Sequence, residues 1–245
     1  MEKYFQAYGS EGFVLFSLTH LLTIIFLLLL VVIMFLSRKF LRETKANTIF
    51  RIGLASILIL SEIALHIWWW GYDFWDIRHS LPLHLSSISL LLSAGLLITK
   101  DFRIFEFTYF AGLGSAIQAM ITPDISAYSF PHFRYVHFFI SHGGIVLANL
   151  FFVLVEQYRP RFKSLLKAFL YLNLYAFIVF LVNLILSGNY MYISKKPVNP
   201  SIMDYLGPWP FYIIPLEIIA FITFMILYLP FGLKKFFNKR IRTRG

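Results

Sequence analysis

Long apolar runs separated by short polar connections dominate the chain from its first turn to its last. A helix crossing a bilayer needs about 20 mostly apolar residues. Seven stretches meet that length: 13–36, 49–70, 81–99, 104–121, 132–155, 165–187 and 210–231. No Gly/Ser-rich linker or long polar segment separates them. The pattern therefore predicts an all-α, polytopic membrane protein, a single seven-transmembrane-helix bundle spanning residues 1–245.

The basic residues give that bundle an orientation. Of the 22 Lys and Arg, only Lys3, Arg78, Arg134, Lys195 and Lys196 fall on the side of the first connection's opposite face; the other 17 lie in the alternate connections and the tail. Positive charge stays preferentially cytoplasmic, so the N-terminus is expected outside and the C-terminus in the cytoplasm. All five Trp (68, 69, 70, 75 and 209) then fall at the outer interface, where an indole ring meets lipid and its N–H meets water.

Composition agrees. The chain is 59% hydrophobic and 14% charged, with mean hydropathy +0.72, against about 25% charged for a soluble domain. The net charge of +10 reads as a topology signal and a contact for anionic head groups, so membrane lipids and no nucleic acid are the expected partners. Glu2 and Glu11 precede the first apolar run where a cleavable signal would carry a basic segment. The absence of Cys removes disulfides, thiolate metal ligands and a cysteine nucleophile.

What changes the picture is where the polar residues fall. His20, Glu62, His66, His84, Ser86, Gln118, His137, His142, Asn183 and Glu217 all lie between the expected outer interface and the midplane, at about 1.5 Å of depth per residue. Asn149 and Asn173 are the main exceptions. Polar groups inside a bilayer are expensive and mark functional sites by default. A hydroxyl becomes nucleophilic when an imidazole takes its proton and a third group orients that imidazole. Ser86 as nucleophile with His142 or His137 as base, and Glu62, Glu217, Gln118 or Asn183 as orienter, supplies those parts. His20, His66 and Arg134 join the substrate-binding candidates, Arg134 with an anionic head group in mind. Ser87, Ser89 and Ser93 are expected to bond to carbonyls one turn earlier. A zinc hydrolase is the chemical rival, but His137 and His142 stand about 140° apart around their helix. No metal site and no cofactor are expected.

The stretches LPLHLSS (81–87), TPDISAYSFPHFRY (122–135), SHGG (141–144), NYMYISKKP (189–197) and DYLGPWPFYI (204–213) resemble the YwaF-like bacterial integral membrane proteins over nearly the whole chain. That family is similar to a eukaryotic transmembrane acyltransferase that moves fatty acyl chains between phospholipids. The resemblance implies a multi-pass protein of the bacterial cell membrane. It also implies a nucleophile at Ser86 and a histidine at His142, with His84 in the same motif. The family's motif commonly reads LPLHLC, and this chain has Ser86 where that Cys stands. The functional expectation is a lipid acyltransferase or lipid-ester hydrolase with an intramembrane Ser/His site. The rival is a transporter, lipid-binding or regulatory membrane protein.

Overall fold

The computed structural model describes residues 4–7, 9, 12–125, 127–197 and 202–242; side chains at 202 and 234–242 are outside that description. Lys3 and the tail cations Lys234, Lys235, Lys239, Arg240, Arg242 and Arg244 therefore lie outside the described side chains. Among the described residues the chain is all-helical. Seven helices follow one another: α1 Leu18–Leu36, α2 Thr44–Gly71, α3 Leu85–Thr99, α4 Phe102–Ile121, α5 Phe133–Leu154, α6 Phe162–Leu186 and α7 Ile213–Arg242. Six of them, α7 counted to Leu233, are long and apolar enough to cross a membrane. This is a multi-pass membrane protein.

The third helix departs from expectation. It has 15 residues, about 22 Å at 1.5 Å per residue, short of the ~30 Å hydrocarbon layer. The expected start at residue 81 fails because residues 81–84 form a turn, closed by Leu83 N–H on Leu81 C=O. His84 is thus the residue preceding the helix, with extended backbone (φ −65°, ψ 147°), and not a residue inside it. Other boundaries move less. α1 begins at Leu18, not residue 13, since Phe16 sits at φ 57° and Ser17 caps the helix by accepting from His20 N–H. α2 begins at Thr44, earlier than expected. His132 caps α5 through its side chain, which accepts from Arg134 N–H.

Charged side chains tie three connections together at one end of the bundle. The Arg42 guanidinium donates to Val155 C=O at 3.0 Å, and the Glu156 carboxylate accepts from Asn47 at 2.7 Å and Lys100 at 2.8 Å. Arg51, buried, donates to Asn47 Oδ1 and to the carbonyls of Leu97 and Ile98. Those carbonyls belong to the last turn of α3, where four C=O groups lack intrahelical partners and a cation complements the helix dipole. α3 is therefore pinned at this basic end. Being short, it stops inside the bundle at the other end.

α5 runs through the centre. Asn149, fully buried, accepts from Thr108 at 2.8 Å and donates to Ile145 C=O at 2.9 Å and to Ser93. Its partner Thr108 opens a π-helical turn, Thr108–Gly112, in mid-α4. The serines of α3 do not back-bond as expected: Ser93 accepts from Asn149, and Ser89 Oγ has no partner among the described residues. Close packing on α5 depends on glycine. A Cβ at Gly144 would lie 2.5 Å from Leu58 on α2, and one at Gly143 would lie 2.6 Å from Leu27 on α1.

Gly144→Val should thus lower the thermal midpoint of the detergent-solubilised protein, since overpacking a filled contact costs about 1–3 kcal/mol. Gly53→Val, where an added Cβ meets nothing within 4 Å, serves as the comparison and should shift it far less.

Candidate functional site

The space left beyond the start of α3 is a cavity of about 430 Å³. Four helices wall it. α2 contributes Glu62, Leu65 and Trp69; α3 contributes Leu85, Ser86, Ser87 and Leu90; α4 contributes Ser115 and Ala119, with Thr122 just past its end. α5 contributes Arg134, His137, Phe138, Ser141 and His142, positions i, i+3, i+4, i+7 and i+8 on one stripe of a helix. His137 and His142 sit at the two edges of that stripe, so both line the cavity despite their angular separation. His79, His84, Asp124, Met191 and Tyr192 from the connections close the mouth.

The hydrogen bonds fix most imidazole tautomers, because a backbone carbonyl only accepts and a backbone N–H only donates. His142 Nδ1 lies 2.8 Å from Phe138 C=O and so carries the proton. Its Nε2 keeps a lone pair. The group orienting His142 is therefore a carbonyl one turn away, and none of Glu62, Glu217, Gln118 or Asn183. His84 Nδ1 accepts from Met191 N–H at 3.3 Å, which leaves its Nε2 as a donor. His137 Nε2 is 3.3 Å from Ser141 Oγ, which is in turn 3.0 Å from Ser61 Oγ. Ser86 makes no side-chain hydrogen bond among the described residues. Ser87 lies within reach of the Glu62 carboxylate.

Arg134 is the most demanding group present. Its guanidinium lies over Trp69 at 5.7 Å, Trp68 at 5.8 Å and Tyr128 at 6.0 Å from the ring centroids. Among the described residues it has neither a hydrogen-bond acceptor nor an ion-pair partner. It also occupies the first turn of α5, the positive end of that helix, where a cation is disfavoured. Rings supply some cation–π attraction, yet five N–H donors remain for an anion. The first turn of α3 adds to this. The N–H groups of Leu85, Ser86 and Ser87 have no acceptor among the described residues, and His84 provides no side-chain cap.

Five candidates do not line the cavity. His20 is buried but has both nitrogens occupied, Nδ1 accepting from Phe16 N–H and Nε2 donating to Met120 C=O. Asn183 brackets Tyr190, donating to its C=O and accepting from its N–H. Gln118 faces outward and donates to Thr223 on α7, while Glu217 accepts from Asn173 between α6 and α7. His66 stands behind the wall, 3.9 Å from Glu62 and accepting from the Trp75 indole. Ser141 and Ser61 were not singled out from the sequence, although the i, i+4 spacing of His137 and Ser141 signals the first of them. No group of three side chains suited to a metal occurs among the described residues.

Burial, with the His79 charge adding to it and Asp124 opposing it, lowers the His84 pKa from its ordinary 6.5 to about 4. His84 is therefore neutral in the fold at pH 7, as its acceptor role requires. A base whose pKa falls on folding binds more protons when unfolded, so stability is intact above pH 6.5 and lost as pH drops towards 4. His84→Asn, whose Oδ1 still accepts from Met191, should flatten that part of the thermal-stability profile. An unchanged profile would remove His84 as its cause.

The family model described as the TMEM164 family matches residues 15–228. No curated protein matches the chain, and no solved structure does.

Proposed function

The chain belongs to the TMEM164 family, and for this member we propose acyl transfer or hydrolysis on a lipid ester held in the cavity at the start of α3. The observation that carries the reading is the unpaired Arg134 guanidinium facing a cavity that also holds Ser86 and a His142 with a free Nε2 lone pair. Arg134 takes the anionic part of the lipid head group, a geometry to which a planar five-donor fork is suited. Glu62 acts through Ser87, holding the first turn of α3.

Ser86 Oγ attacks the ester carbonyl carbon as its proton passes to His142 Nε2. The N–H groups of the first turn of α3 stabilise the oxyanion, a role in which backbone donors excel when water is excluded. Collapse breaks the C–O bond, and His142 returns the proton to the departing lipid alcohol, leaving acyl-Ser86. An acceptor alcohol or water then gives its proton to His142 and attacks the acyl carbon; collapse breaks the acyl–Ser86 C–O bond, and His142 returns the proton to Ser86 Oγ. Ser86 and His142 line the same cavity without a hydrogen bond to one another, and such contacts commonly tighten only in the complex. A second reading has one specific observation behind it: the 3.3 Å contact of Ser141 with His137 would make Ser141 the nucleophile.

The rest of the reading concerns place. We assign the cavity to the extracytoplasmic leaflet on the strength of the Lys and Arg distribution, and the membrane to a bacterial cell on the strength of the sequence resemblance. A non-enzymatic transporter, lipid-binding or regulatory membrane protein is the contrasting class.

Two experiments test this. In lipidomes of cells expressing wild type, Ser86→Ala, His142→Asn and Ser141→Ala at equal levels, the wild-type change in acyl composition should vanish with the first two. A missing general base costs about 10²–10⁴-fold. Loss with Ser141→Ala alone would transfer the role to Ser141, and four identical profiles would remove the chemistry. Since the chain has no Cys, single substitutions report sidedness without background. Asp73→Cys should react with an impermeant maleimide on intact cells and Arg38→Cys only after lysis; the reverse pattern would invert the topology.

A further inference from the structure

A strap, residues 189–193, lies against the cavity and is strained where it lines it. One end is fixed. Tyr190 is fully buried, bracketed by Asn183 through bonds of 2.8 and 3.0 Å, and its hydroxyl donates to Ile77 C=O at 2.6 Å. The other end is held at Ile193, whose C=O accepts from the Trp209 indole at 3.0 Å. Between these posts lie two consecutive residues with side chains in the left-handed region, Met191 at φ 58° and Tyr192 at φ 54°. Single non-glycine residues visit that region at a cost, and a run of two is rarer still. Both line the cavity.

Three bonds to side chains hold residues 191 and 192: the Tyr212 hydroxyl donates to Tyr192 C=O, and two more tie them to other connections. Met191 N–H donates to His84 Nδ1 at 3.3 Å, and the Tyr192 hydroxyl donates to Asp124 at 3.0 Å. They reach two different connections that line the cavity, His84 before α3 and Asp124 between α4 and α5. The strap therefore bridges those connections, with strain at its centre, a few hydrogen bonds along its length and firm anchors at its ends. Stored strain at such a place favours a second conformation once the restraining contacts are released.

We propose that residues 191 and 192 form a gate, latched by the Tyr192–Asp124 bond, that lifts to pass a ligand's head group and excludes bulky molecules while closed. This inference needs the cavity but not the acyl-transfer chemistry. The opening motion returns Met191 and Tyr192 to right-handed or extended backbone, pivoting between Tyr190 and Ile193 and releasing Tyr192 C=O from the Tyr212 hydroxyl.

The test uses Ser86→Cys as the sole thiol in the chain and measures its labelling by a small methanethiosulfonate and by a bulky maleimide. Adding Tyr192→Phe removes the latch while keeping the ring. The bulky rate should rise roughly fivefold, the size expected when one neutral hydrogen bond holding the closed state is lost. The small reagent's rate should stay the same, which also reports an intact cavity. Equal bulky rates with and without the hydroxyl would overturn the gate. So would an equal rise for both reagents, since that marks general loosening. Labelling reads access alone, so lipidomes unchanged by Ser86→Ala would remove the proposed reaction without touching this result.

Discussion

A charge within a bilayer has no water to turn to, so each one must be answered by the protein, by a water-filled space or by something bound. In this chain the answer is visible nearly everywhere. Arg51 closes the last turn of α3, Glu156 gathers Asn47 and Lys100, and Asn149 joins α3, α4 and α5. Arg134 stands apart from them. It has aromatic faces around it and no acceptor among the described residues. The Glu62 and Asp124 carboxylates in the same cavity attract it without bonding to it.

Why that site exists follows from a length. α3 is anchored at the basic end by Arg51 and ends after 15 residues, so the bundle cannot be filled to the opposite end. The connection before α3 descends to meet it, bringing His84 with it, and the α5 stripe of Arg134, His137, Ser141 and His142 faces the vacated space. A short central helix among longer ones thus makes a polar hollow without breaking any helix that faces lipid. On the far side of α5, Gly143 and Gly144 let α1 and α2 approach closely, so one helix separates a polar face from an apolar one.

Much of this was legible from residue order. The apolar runs gave the helices in sequence, and the depth of Glu62, His84, Ser86, His137 and His142 pointed to residues that line one cavity, with Arg134 reached separately as an outer-side cation. The start of α3 was not legible, because Leu81, Leu83 and Leu85 continue the apolar pattern through Pro82 while the backbone turns. Depth without rotational phase also misplaced Gln118 and Glu217, which sit at suitable heights on faces turned towards α7 and α6. His20 and Asn183 answer carbonyls far away in sequence or in a loop, Met120 and Tyr190, and no local pattern carries that information. Ser141 differs from these, since its i, i+4 spacing from His137 is a local signal present in the sequence.

The central proposal is that Arg134 holds the anionic part of a lipid inside the cavity. Native mass spectrometry of the purified protein, with lipids of defined charge supplied in excess, addresses it directly. Wild type should retain an anionic phospholipid in preference to a neutral diacylglycerol, and Arg134→Gln should lose that preference while retaining its fold. Equal retention of both lipids by wild type, or an unchanged preference in Arg134→Gln, would contradict the account.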